Sequence, residues 1–95
     1  MIGVVATITV AEGNTAEFER KFIAQMAAVH ANEPACHLYT LCRTDDANVF
    51  VVMERYDDMA GFEFHRDSAH MAKHRAGIGP LLAGPVDVKI MEEVE

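Results

Sequence analysis

Two strand-length segments constrain this chain more than anything else in it. Residues 4–10 and 49–56 are rich in β-branched side chains and apolar on both alternating sides for most of their length. In the first, Val4, Ala6, Ile8 and Val10 fall on one side and Val5, Thr7 and Thr9 on the other. In the second, Phe50 and Val52 oppose Val49, Val51 and Met53. A strand with one wet face alternates apolar with polar residues, so both segments belong in the middle of a sheet covered on both sides.

The segments around them set the connectivity. Asn14 followed by Glu17 reads as a helix N-cap with its capping-box partner, and Phe18, Phe22, Met26 and Val29 then recur at helical spacing up to Asn32. Pro34 ends that helix, because the residue before a proline is pushed out of the helical region. Residues 37–43 form a second strand, joined by the polar stretch 44–48 to the third, 49–56, as a hairpin. Asp57 or Asp58 caps a short helix with Met59 and Phe62 inward. Ser68 caps a further piece in which Met71, His74, Ile78 and Leu81 recur before Gly84-Pro85 breaks the pattern. Residues 86–90 alternate strictly and make the last strand.

The order βαββαβ in 95 residues predicts one α+β domain over residues 1–95. It is ferredoxin-like, with a four-stranded antiparallel sheet in the order 4-1-3-2 and helices on one face. The helix-free face then needs a cover that the chain cannot supply, and a second copy packing sheet against sheet provides it. A homodimer through that face is the expectation.

Charge narrows the partners. Eight basic against 15 acidic residues leave a net charge of −7, and the basic residues are scattered. That disfavours nucleic acid and anionic membrane, since holding a phosphate backbone relies on clustered Lys and Arg. No apolar run approaches the ~20 residues that span a bilayer, and the start carries no basic leader, which predicts a cytoplasmic protein. Cys36 and Cys42 sit six positions apart in one predicted strand, roughly 20 Å at ~3.3 Å per residue, so they read as free thiols.

Histidine is the over-supplied reactive residue, with five in the chain. His65, His70 and His74 cluster in the second helical region. A neutral imidazole, with an ordinary pKa of ~6.5, is a usable base near pH 7. His74 shares the stripe of Met71 and Ile78 and is expected to face the sheet, while His70 and His65 flank their stripes. His70-x-x-x-His74 has the spacing of a helical metal pair but lacks an obvious third ligand, so no metal site is expected. Tyr39 and Tyr56 are candidate hydrogen-bond donors to a ligand oxygen. Gly77-x-Gly79 follows a helix instead of opening one, which leaves nucleotide and flavin binding without support.

Ala31-Asn32-Glu33-Pro34-Ala35-Cys36 leading to Leu38-Tyr39, then Glu54-Arg55-Tyr56-Asp57-Asp58 with Ala60, His65 and Ser68-Ala69-His70, together resemble the antibiotic biosynthesis monooxygenase family of dimeric α+β barrel proteins. The resemblance implies oxygen insertion into quinols or polyketide-type aromatics without flavin, haem or metal. The protein supplies a base, a dry pocket and donors for the developing oxyanion. It places His70 by motif in the Ser-x-His element. His65, His70 and His74 are the candidate proton-handling residues, and Asn32, Tyr39 and Tyr56 the candidate substrate contacts. Haem-degrading relatives of this fold use an Asn, a Trp and a His where this chain has Ala6, His65 and Arg75, so haem chemistry falls well behind. Two other classes stay open: a proton-shuttling isomerase of a small enolisable ketone, and a dimeric binding or stress module without catalysis.

Overall fold

The computed structural model describes residues 1–94. The β-branched runs form strands as expected: β1 (Ile2–Thr9), β2 (Cys36–Arg43), β3 (Val49–Tyr56) and β4 (Asp87–Glu92). All pairings are antiparallel and the sheet order is β2-β3-β1-β4, which is the predicted ferredoxin-like arrangement. β4 begins one residue later and runs two residues further than its alternation indicated.

Three helices lie among the strands: α1 (Thr15–Asn32), α2 (Met59–Asp67) and α3 (Ala69–Ile78), the last running into a 3-10 turn at Gly79–Leu81. Asp58 caps α2 by accepting from the Gly61 N–H, and Ser68 caps α3 by accepting from the Met71 N–H. Both satisfy amides that a helix start leaves unpaired. Asn14 behaves differently from its sequence reading. Its side chain makes no cap; its Nδ2 donates to the Leu81 carbonyl at 3.3 Å and ties the start of α1 to the 3-10 turn.

The core sits between the helices and one sheet face. Phe18, Phe22 and Val29 of α1 pack on Ala6, Ile8, Val10, Phe50 and Val52, and the Phe18 and Phe50 rings lie 4.9 Å apart. A smaller cluster joins Val4, Tyr56 and Phe62 under α2. Cross-strand partners share a face, so the rows Val4/Glu54/Tyr39 and Ala6/Val52/Leu41 point to the helices.

The alternate rows, Val5/Met53/Thr40 and Thr7/Val51/Cys42, form the helix-free face. Its middle is apolar and partly open, with Met53 43% exposed, Met91 42% and Leu38 38%, while Asp87 and Lys89 of β4 and Arg55 of β3 put charge at its margin. Cys36 and Cys42 are free thiols, both half-buried. Among the described residues no helix is long and apolar enough to cross a membrane.

Candidate active site

The inward row of β3 reads Phe50, Val52, Glu54, Tyr56, so the strand places a carboxyl among apolar neighbours. The apolar stripe of α1, carried on from Phe18, Phe22, Gln25 and Val29, ends on a second carboxyl at Glu33. Helix α1 stops there: Glu33 is its C-cap, with φ −125° and ψ 84°, and Pro34 follows. Glu33 and Glu54 are both buried. Between them α2 inserts His65, the inward residue one turn after Phe62 and Gly61.

His65 is the centre of the arrangement. Its Nδ1 lies 3.0 and 2.9 Å from the two carboxyl oxygens of Glu33, and its Nε2 lies 3.9 Å from Oε1 of Glu54. A carboxylate accepts and does not donate, so Nδ1 carries the proton in the neutral ring and the Nε2 lone pair points towards Glu54. Tyr39, Tyr56 and Phe62 surround the imidazole, with ring centroids at 5.2, 5.5 and 6.3 Å. Burial in this aromatic cage pushes the His65 pKa below its ordinary value, against the pull of Glu33.

Glu54 moves in the opposite sense. Burial, reinforced by the nearby charge of Glu33, pushes its carboxyl up to about 7, although the Tyr56 hydroxyl donates to it at 2.6 Å. Glu54 is thus poised to exchange a proton near neutrality. Burial also raises the Tyr39 and Tyr56 hydroxyls, with Glu54 adding to both, so each stays protonated. Tyr39 accepts from Gln25 Nε2 at 2.6 Å, which leaves its own O–H to donate elsewhere.

These groups face a cavity of about 580 Å³ between the sheet and helices α2 and α3, within the ~300–1,000 Å³ typical of small-molecule sites. Tyr39, Glu54, His65 and Gln25 supply its polar wall; Ala6, Ile8, Phe22, Phe62 and Met71 supply much of the rest. Val86, Val88 and Ile90 border it from the β4 side but are 40–49% exposed, so the cavity opens there.

The sequence candidates divide cleanly. His65 and Tyr39 line the cavity; Tyr56 stands behind it and acts on Glu54. His70 does not line the cavity; its Nε2 lies 2.5 Å from Oε2 of Glu33, the oxygen that His65 also approaches. Ser68 Oγ lies 3.2 Å from the same nitrogen and donates to the His65 carbonyl at 2.8 Å. Asn32 is exposed, donates to the Ala28 carbonyl at 2.7 Å, and shares an outer depression with Ser68 and His70.

His74 is half-buried and does not line the cavity, contrary to its expected direction. The reason lies in how α3 is turned: Lys21 of α1 donates to the Gly77 carbonyl at 3.1 Å, so the side of α3 carrying His74 and Gly77 faces α1. Met71, Arg75 and Ile78 take the cavity side. Among the described residues no three His, Cys, Asp or Glu side chains are grouped to hold a metal ion.

Glu33 and Glu54, absent from the sequence candidates, are the carboxyls that flank the two ring nitrogens of His65. Both sit at inward positions of a periodic pattern, Glu54 two residues after Val52 and Glu33 four after Val29. An acidic residue on an apolar stripe is the signal that exposes them.

Comparison with known proteins agrees with this fold. The family described as antibiotic biosynthesis monooxygenase matches residues 1–77. Mycobacterium tuberculosis "Putative monooxygenase Rv0793" is 33% identical over 63 residues, a stretch covering 66% of this chain and 62% of that protein's length. Its solved structure superimposes with a TM-score of 0.89 at 26% identity, covering 99% of this chain and 95% of that one. A Caulobacter crescentus structure bearing the family's name superimposes with a TM-score of 0.95 at 37% identity, covering 99% of this chain and 90% of that one. The chain belongs to the antibiotic biosynthesis monooxygenase family.

Proposed function

We propose that the chain is a cofactor-independent monooxygenase that oxidises a quinol-like or polyketide-type aromatic with O2, and that His65 is its general base. The observation that carries this reading is His65 on the cavity wall, its Nδ1 held by Glu33 and its Nε2 turned towards Glu54, which lines the same cavity. This is the geometry by which a buried carboxylate fixes the tautomer of a catalytic imidazole.

His65 takes a proton from a phenol or enol, and the resulting anion is electron-rich enough to pass an electron to O2. The radical pair closes a C–O bond at a ring carbon. The peroxide so formed takes the proton back from His65 or from Glu54. Loss of that carbon's remaining hydrogen with O–O cleavage leaves a C=O group and water, so one oxygen atom enters the product and the other leaves reduced. The Tyr39 hydroxyl is placed to donate to a substrate oxygen on the cavity wall. The apolar lining keeps water away from the anion.

Oxygen uptake with naphthols, naphthoquinols and anthrones, measured under chelation, tests the reading. Stoichiometric O2 consumption that collapses in His65→Ala supports it. Uptake unchanged by that substitution overturns the assignment of the base.

A second reading is favoured by one observation, the 3.9 Å approach of His65 Nε2 to Glu54 Oε1. Two exchangeable groups on one wall can move a proton between two carbons of an enolisable ketone. Such an isomerase works without O2, so an anaerobic assay separates the two.

The proposal extends to assembly: a second copy covers the apolar row Val5, Val51 and Met53 on the helix-free face, making a homodimer. A compartment follows from neither reading; a cytoplasmic location stays part of the proposal and is tested by fractionation.

A further inference from the structure

The cavity side of α3 carries an unexpected residue. Met71 and Ile78 are buried there, and between them, four residues after Met71, stands Arg75. A cation on the inward stripe of a helix is costly unless it reaches water or an anion. Arg75 does reach the cavity's open side: it is exposed, lines the cavity, and donates from one guanidinium nitrogen to the Arg66 carbonyl at 2.7 Å. No described ion pair within 4 Å involves it, whereas its neighbour Arg66, which also lines the cavity, is held by Asp67 at 2.9 and 3.1 Å.

The charged groups around this rim are few. Arg66 pairs with Asp67 and also feels Glu63, while Asp67 acts on Arg75 only from beyond ion-pair distance. Glu54 lies on the sheet wall and titrates about neutrality. Arg75 is close enough for its charge to help hold His65 neutral. Among the described residues Arg75 is thus the rim cation without an ion pair within 4 Å, although the whole chain carries −7, and the space behind it is lined mostly by apolar side chains.

We propose that Arg75 recognises a carboxylate on the substrate, so that the guests of this cavity are hydroxylated aromatic acids instead of neutral phenols. The aromatic body lies against Phe22, Ile8 and Met71, the ionisable hydroxyl reaches His65, and the carboxylate remains at the open rim in charge-assisted contact with the guanidinium. This inference names the substrate class for the site proposed above and rests on that reading for its chemistry, but its binding test does not require turnover.

The test is fluorescence titration of the whole protein with a matched pair, 6-hydroxy-2-naphthoate and 2-naphthol, at low and at high salt. The acid is expected to bind at least ~10-fold more tightly at low salt, a preference that narrows as salt rises. Arg75→Gln reduces the preference to within ~2-fold while 2-naphthol still binds, which shows the cavity intact. Arg43→Gln, which removes a cation paired with Glu19 away from the cavity lining, leaves it within ~2-fold of the wild type.

Equal affinity for acid and phenol, a preference that survives Arg75→Gln, or binding of neither ligand overturns the inference. Preference for the acid with no oxygen uptake leaves the inference standing and removes the monooxygenase reading. Uptake with neutral quinols and no preference does the reverse.

Discussion

The carboxyl of Glu33 bridges two imidazoles, with His65 Nδ1 2.9 Å from Oε2 and His70 Nε2 on the same oxygen. The three side chains come from the end of α1, from α2 and from the first turn of α3, and are 1%, 6% and 17% exposed for Glu33, His65 and His70. Only His65 also faces the cavity. In the proposed mechanism the other two members act through it, Glu33 by holding the ring and His70 by bonding Glu33.

That hierarchy orders three substitutions. His65→Ala removes the base and is expected to cost ~10²–10⁴-fold in kcat with a quinol substrate. His70→Ala leaves the ring in place and costs less than ~10-fold, and His74→Ala, away from the cavity, leaves kcat within ~2-fold. Steady-state oxygen uptake of the three variants measures the order. A loss in His74→Ala as large as that in His65→Ala contradicts it.

Glu33→Gln separates holding the ring from mere packing. The amide fills the same space but presents a donor as well as an acceptor, so the His65 tautomer is no longer fixed. The expected result is a fall in kcat of ~10-fold or more with KM little changed, and a mixture of neutral His65 tautomers in 15N NMR. A single Nδ1–H tautomer in the variant removes Glu33 from this role.

The raised Glu54 makes stability fall with pH. Between the ordinary 4.5 of a glutamate and its folded value of about 7, the native state holds a proton that the unfolded chain has lost, so stability is lost as pH rises through that window. The full loss is roughly 3 kcal/mol, reached above pH 7. His65 acts oppositely: its depressed value makes the unfolded chain the better proton binder below about 6.5, so its contribution is lost as pH falls. Urea unfolding of wild type and Glu54→Gln from pH 4 to 8 isolates the first effect. The variant gains on the wild type between pH 4.5 and 7, and a constant difference across that range refutes the account.

The helix-free face gives an assembly prediction. Met53, 43% exposed beside Val5 and Thr40, lies at the centre of the proposed contact. Met53→Lys places a charge there and is expected to shift micromolar protein from dimer to monomer in sedimentation equilibrium, without loss of helical circular dichroism. A wild type already monomeric at that concentration refutes the assembly.

The N-cap of α2 is testable by stability alone. Asp58→Ala removes the acceptor for the Gly61 N–H at 2.9 Å and is expected to cost ~1 kcal/mol. Asn14→Ala breaks only the bond to Leu81 and should cost less, read from the same denaturation curves.

The sheet order, both short-helix caps and the two-sided apolarity of β1 and β3 were legible because each rests on local periodicity or on a local side-chain acceptor. His65 stands out as one of a cluster of histidines and Tyr39 as a strand tyrosine, but the periodicity puts His65 beside its stripe, whereas it is buried between Glu33 and Glu54. The direction of His74 was not legible: its stripe is shared between α1 and the cavity, and which neighbour it meets depends on how α3 is rolled, a matter of contacts far apart in sequence. The partnership of Glu33 with His65 spans 32 residues, so no window along the chain contains it, and only the misplaced charge on each stripe marked the carboxyls. Asn14 shows the converse, a residue whose local pattern reads as a cap and whose side chain is claimed by Leu81 instead.

Pro34 ends α1 directly after the residue that holds the imidazole, and this ties the alignment of the Glu33–His65 pair to chain punctuation. One residue added to that helix would swing Glu33 about 100° around its axis and aim the carboxyl away from His65, with every apolar contact upstream intact. Insertions at this junction should therefore leave a well-folded but inert protein, whereas the loop between β2 and β3, which touches neither carboxyl, has room to vary in length.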